Sequence, residues 1–214
     1  KSFTLEIIEL EQEEPSPVIK TSVLEYANAG YEYNFIIEIQ GESKAKFKIT
    51  DGRLPEGLRL EEDGKIHGVS RESGKFYFTV EAVGDSGSVS KELLLNVRPS
   101  IITESNLPDM TISSSRNDAE LKLYGSNPDM TWRVVEGRLP EGLTLDISTG
   151  LITGRPTRTG IMKFIVRAEI AGWSDLYDER EFSIKVKGIA AKINTIALKQ
   201  GVLSSRYNFT LQAS

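Results

Sequence analysis

"GRLPEGLRLEEDGKIHG" (residues 52–68) returns as "GRLPEGLTLDISTGLITG" (residues 137–154) in the same chain. The second phrase starts 85 residues after the first, and that spacing also carries Phe47 onto Trp132, Ile49 onto Val134 and Pro55 onto Pro140. One inserted residue then moves the spacing to 86, matching Gly64 with Gly150, Gly68 with Gly154, Gly74 with Gly160, Phe78 with Phe164 and Ala82 with Ala168. A catalytic loop is rarely needed twice, whereas a structural unit copied along a chain needs its turns in every copy.

The phrase reads as short strands joined by turn chemistry. In "LPEGL" the proline presets φ for the second turn position and the glycine suits the exit. Leu58 and Leu60, like Leu143 and Leu145, then point to one side. "DG" at Asp63 and "TG" at Thr149 mark the next tight turn, and Gly68 and Gly154 are expected to release the chain from the ladder. Downstream, Phe76, Phe78, Val80 and Ala82 alternate with polar residues, as do Phe164, Val166 and Ala168. Leu93, Leu95 and Val97, and Phe182, Ile184 and Val186, repeat the period of two that marks half-buried strands. The chain is read as all-β. A phosphate cradle would need a helix N-terminus and usually a Lys-Ser/Thr pair after the glycines, and neither is present. Units of roughly 85 residues with turns every 8 to 12 positions predict two-sheet sandwiches of about seven strands.

The pattern W-x-V-x-x-G-x-LP-x-GL-x-L-(x)4-G-x-I-x-G-x-P-x-x-x-G, followed by an alternating strand, resembles the immunoglobulin-like repeats of bacterial surface proteins and, more distantly, dystroglycan-type cadherin-like domains. The second copy fits from Trp132 through Pro156 and Gly160; the first departs at Phe47 and Ser70. The resemblance implies tandem immunoglobulin-like β-sandwich domains, a bacterial extracellular or cell-surface setting, and no enzymatic activity of its own. Fold alone leaves the biochemical role open.

The repeat predicts four segments. Residues 1–14 would close a preceding repeat and form an acidic linker containing Glu6, Glu9, Glu11, Glu13 and Glu14. Residues 15–98 and 99–187 would be two full repeats. Residues 188–214, where "INTIALKQGVLSSRYNF" from Ile193 echoes "IKTSVLEYANAGYEYNF" from Ile19, would open a truncated third. The segment is thus expected to belong to a longer chain, with exposed ends open to strand exchange.

Composition narrows the chemistry. Net charge is −5 with 31 acidic residues against 26 basic ones, which disfavours phosphate backbones and hence nucleic acid. No apolar run is long enough for a membrane helix. The absence of cysteine removes disulfides, thiolate metal sites and cysteine catalysis. His67 is the only histidine, flanked by Ile66 and Gly68, and reads as a strand-surface residue rather than a catalytic base. No cofactor is expected. Structural calcium would need Asp85, Asn117, Asp118 and Glu120 to converge from separate loops. Between Ala168 and Phe182 the second copy carries an insertion holding Trp173 and Tyr177. These two are the candidate ligand-binding residues, placed in or beside a loop where they would take a surface glycan or a host or matrix protein. Three readings follow: a rigid spacer or adhesion stalk whose partners are neighbouring repeats, a carbohydrate- or protein-binding module, and an accessory domain of an enzyme outside this segment.

Overall fold

The computed structural model describes residues 15–189, except 42, 43, 113, 115 and 116, together with a few single positions beyond 189. The acidic cluster before Pro15 and the proposed closing strand lie outside the described residues, as does the proposed third repeat, with its strand exchange, except for Gly188, Ile189 and those single positions.

The first unit contains β1 (Val18–Ile19), β2 (Ala27–Asn28), β3 (Glu32–Ile36), β4 (Ile39–Gln40), β5 (Lys46–Gly52), β6 (Leu58–Leu60), β7 (Lys65–Val69), β8 (Gly74–Gly84) and β9 (Gly87–Arg98). The second contains β10 (Ser100–Ile101), β11 (Met110–Thr111), β12 (Ala119–Glu120), β13 (Leu123–Tyr124), β14 (Met130–Gly137), β15 (Leu143–Leu145), β16 (Leu151–Gly154), β17 (Gly160–Ile170) and β18 (Trp173–Lys187). The pairing is the same in both. A sheet ordered β2-β9-β8-β5 faces a sheet ordered β3-β7-β6, and β11-β18-β17-β14 faces β12-β16-β15. A short β1-β4 pair, matched by β10-β13, completes each sandwich.

Alternation accounts for the cores. Phe78, Val80 and Ala82 on β8 are buried, as are Leu93, Leu95 and Val97 on β9, with Phe78 paired to Leu93. Phe164, Val166 and Ala168 meet Phe182, Ile184 and Val186 in the same way across β17 and β18, with Phe164 and Phe182 in register and their rings 6.2 Å apart. Each such side chain contributes about 1.5–3 kcal/mol on leaving water. Two separate apolar clusters result, one in each unit.

The duplicated phrase holds the aromatic residue that starts each unit's core strand. Phe47 pairs with Ala82 and Trp132 with Ala168, and both strands slip register two residues later, at Ile49/Asp51 and Val134/Glu136. Gly64 and Gly150 lie against those rings. A Cβ at Gly64 would stand 2.8 Å from the Phe47 ring, and one at Gly150 would stand 2.8 Å from the Trp132 ring. Both glycines also have left-handed φ values, +85° and +73°, so backbone sign and ring contact both demand glycine. Gly68 departs from expectation, while Gly154 is the last residue of its strand. Gly68 stays inside its sheet, paired with Tyr33 and Leu58, and Gly154 pairs with Leu143. Their lack of a side chain serves a close approach, since a Cβ there would stand 2.2 Å from the carbonyl of Gly57 or Gly142.

The units differ in how bulk is distributed. Register aligns Tyr33 and Phe35 of the first with Asn117 and Ala119 of the second. The second core thus carries the larger Trp132 with the smaller Ala119, where the first has Phe47 and Phe35.

Candidate functional site: the junction between the units

Pro99 is the only residue between β9 and β10, and it fixes φ where the chain leaves one sandwich for the next. The strand it enters is tied to its own unit. The backbone N–H of Ile101 donates to the Asp178 carboxylate (2.7 Å), and Arg180 donates to the carbonyl of Thr103 (2.8 Å).

Across the junction, the segment Ser70–Lys75 of the first unit meets the turn Gly125–Asn127 of the second. The Ser73 hydroxyl donates to the Gly125 carbonyl (2.9 Å). The Asn127 side-chain amide donates to the Ser73 carbonyl (2.8 Å), and the Ser126 N–H donates to the Arg71 carbonyl (3.2 Å). Ser73 is buried, at 3% exposure, so these bonds work in a water-poor seam where a lost partner costs about 1–3 kcal/mol. The approach is close because Gly125 has no side chain: a Cβ there would stand 2.6 Å from the Ala29 methyl.

Glu72 steadies the first unit's side of the seam. Its carboxylate accepts from both terminal nitrogens of Arg53 (2.7 and 3.1 Å) and from the backbone N–H of Glu56 (2.7 Å). The Arg53 hydrogen bond holds the Glu72 carboxyl below the ordinary carboxylate range, outweighing the upward push of burial.

The insertion between Ala168 and Phe182 forms no open loop. It extends the β17–β18 hairpin to a turn at Ala171–Gly172, and β18 runs from Trp173. Ile170 pairs with Trp173 but Glu169 with Tyr177, so Ser174, Asp175 and Leu176 bulge from the ladder. The bulge faces the first unit. Asp175 pairs with Lys75 (3.3 Å) and accepts from the Tyr26 hydroxyl (3.4 Å). Burial pushes the Asp175 carboxyl upward, but its backbone hydrogen bond, Lys75 and Tyr26 together leave it below its usual value. Leu176 and Ile170 are buried.

The two candidate aromatics occupy different places. The Trp173 ring lies over Gly74 of the first unit, where an added Cβ would stand 3.2 Å from its Cζ3. Tyr177 lies further along the hairpin with the Arg167 guanidinium 4.1 Å from its ring centroid. Arg167 is itself paired with Glu179. Each ring thus has a protein neighbour, and no ring contact joins the two among the described residues. The other singled-out residues are engaged locally. His67 Nε2 is 2.8 Å from Glu61. Asn117 is buried, accepts from the Thr111 N–H and donates to the carbonyls of Thr111 and Ser114. Asp118 accepts from Thr153. Among the described residues no three His, Cys, Asp or Glu side chains gather as a metal site, and no helix is long and apolar enough to cross a membrane.

Ser73, Lys75, Asn127 and Asp175 were not singled out from sequence. The one visible signal was the length of the insertion that carries Asp175.

Residues 94–187 match the family model described as "Putative Ig domain". No curated protein sequence matches the chain. Among solved structures, a protein described as a putative alpha-galactosidase from Bacteroides fragilis is 27% identical over 42% of this chain and 18% of its own, with a TM-score of 0.36. An endo-fucoidan hydrolase of glycoside hydrolase family 107 is 18% identical over 82% of this chain and 29% of its own, also at 0.36. Domains 1–4 of Drosophila N-cadherin are 10% identical over 83% and 51%, again at 0.36. The chain therefore spans less than a third of either hydrolase and about half of the cadherin fragment. The family match on the second unit, and the strand-for-strand repetition of that unit by the first, give both units an all-β, immunoglobulin-like sandwich fold.

Proposed function

We propose that the chain is a non-enzymatic, stiff two-domain segment of a larger exported or cell-surface protein, acting as a spacer or adhesion stalk. The observation that carries this reading is the junction itself. One proline separates the sandwiches, and hydrogen bonds to the main-chain carbonyls of Arg71, Ser73 and Gly125, with Asp175 on Lys75 and Trp173 on Gly74, fasten one to the other. A segment built this way transmits orientation from one end to the other, as a stalk requires. The rival reading, a glycan- or protein-binding module using Trp173 and Tyr177, must free a ring from a neighbour that already covers part of it. A bacterial surface setting belongs to the same proposal and rests on the likeness of the repeated phrase to the repeats of bacterial surface proteins.

Spin labels test the stiffness. The chain has no cysteine, so Arg59→Cys with Thr144→Cys places one label on an exposed strand position of each unit. Pulsed dipolar spectroscopy on the full chain is expected to give one narrow distance peak. A broad distribution spanning many orientations would reject the stalk.

A further inference from the structure

The common strand plan gives every residue of the first unit's junction face a counterpart in the second. Ala27 and Gly74 both pair with Val97, while Met110 and Gly160 both pair with Val186. Ala29, Arg71, Ser73, Gly74 and Phe76 therefore correspond to Ile112, Thr157, Thr159, Gly160 and Met162. The backbone is in the same state: φ is +144° at Gly74 and +142° at Gly160. The Ile112 N–H donates to the Lys187 carbonyl at 2.9 Å, as the Ala29 N–H does to Arg98 at 2.9 Å.

The two faces differ in what covers them. On the first, the Gly125–Asn127 turn and Trp173 fill the site. On the second, Thr159 and Gly160 are exposed, and Ile161 is 64% exposed. The nearest atom to a Cβ at Gly160 would be the Met162 methyl, 3.9 Å away. An open hollow lies there, lined by Ile112, Thr157, Arg158, Thr159 and Met162. Thr159 supplies a hydroxyl donor where Ser73 has one, and Thr157 a main-chain carbonyl where Arg71 has one.

We propose that this hollow is a socket for a third unit of the same fold, which inserts a turn equivalent to Gly125–Asn127 and donates a backbone N–H to the Thr157 carbonyl. The sequence that follows supports the choice of occupant: residues 193–209 repeat the opening of the first unit at residues 19–35. The proposal rests on the stalk reading and extends it to the next junction. The connection there differs. Five residues, without proline, separate Lys187 from Ile193, where two separate Arg98 from Ile101. No proline fixes φ in that stretch, so alignment falls to the socket contacts.

The test completes the third unit. Residues from 193 onward are replaced by a copy of residues 101–187, and Thr144→Cys is introduced in the second unit and at its counterpart in the appended copy. The expected result is a narrow distance peak that Thr159→Arg, an exposed substitution, broadens at least twofold. A broad peak in the parent would overturn the proposal, as would a narrow peak that ignores Thr159→Arg. The Arg59–Thr144 pair, measured separately in the same chain, reports the first junction. A narrow peak there beside a broad one at the second would sink the socket and leave the stalk reading standing.

Discussion

Gly150→Ala should unfold the second unit far more easily than Gly172→Ala, although both residues sit at similar positive φ, +73° and +84°. The backbone cost is common to both: placing an L-residue in the left-handed region costs about 1–2 kcal/mol. The surroundings differ. A methyl at Gly172 meets nothing within 4 Å, whereas at Gly150 it stands 2.8 Å from Cε2 of Trp132. Trp132 is 4% exposed, so it can retreat only by displacing packed neighbours, and overpacking of that kind costs about 1–3 kcal/mol. Gly172→Ala is thus expected to lose about 1–2 kcal/mol and Gly150→Ala about 2–5 kcal/mol. At about 4–8 °C per kcal/mol for a domain of this size, Gly150→Ala lowers the second unit's Tm by roughly 8–40 °C. The chain's two tryptophans, Trp132 and Trp173, both lie in the second unit, so their fluorescence in urea or heat follows that unit and, through Trp173 on Gly74, its seam with the first. Equal losses in the two variants, within about 0.5 kcal/mol, would refute the idea that the repeated glycine exists to seat the aromatic ring.

The junction and a surface turn yield three more tests. Trp173→Ala is expected to broaden the Arg59–Thr144 label distance while leaving the first unit's melting unchanged; an unaltered distance would mean the ring is idle at the seam. If the same variant instead abolished binding on an array of glycans and matrix proteins, the stalk reading would give way to the module. Asp175→Asn should loosen the junction modestly, by less than about 1 kcal/mol, because a partly exposed pair on Lys75 is screened by solvent. In the parent, rising salt should reproduce that loosening, and lowering the pH should do the same. The Asp175 carboxyl is depressed in the folded chain, so its contribution is present above the ordinary aspartate pKa and fades as pH falls through the depressed value. Asp146 should show the same sign in the β15–β16 turn: the Ser148 hydroxyl first, then the Thr149 and Ser148 amides, hold its pKa at about 2 against an ordinary 3.8. Its support for the turn should therefore persist down to about pH 4 and disappear toward pH 2. Carboxyl carbon shifts in an NMR titration would check it, and a midpoint near 3.8 would contradict the turn geometry.

What was legible in the sequence was what is local or periodic. Alternation around Phe78 and Phe164 placed the long hairpin, and "LPEGL" placed the turn between β5 and β6 and its copy between β14 and β15, because φ preferences and side-chain sidedness act over a few residues. Gly68 was misjudged because a glycine that ends a ladder and one that admits a neighbouring carbonyl look alike in one dimension. The seam was illegible for a different reason. Lys75 and Asp175 lie 100 residues apart, and nothing periodic connects them. The insertion around Trp173 showed that extra chain was present, but its direction depends on a register slip that only the paired strands define. Asn117 reads as an ordinary loop residue until β12 aligns it with Tyr33 and shows it knitting its own turn.

The parallel pairing of β2 with β9, and of β11 with β18, acquires a meaning when the chain is pulled. Once tension on a string of such units has drawn β1 away from β4, it reaches the start of β2 and leaves at the end of β9, so those two paired strands are drawn in opposite directions along their length. The bonds between Ala27–Ala29 and Val97–Arg98 are then strained together in shear, instead of parting one after another as at the open end of a hairpin. The second unit places Met110–Ile112 against Val186–Lys187 in the same geometry. Each domain thus resists extension through a short clasp at the point where the chain departs. The time it survives under load is set by the unfolding rate through that clasp, not by the depth of the core behind it.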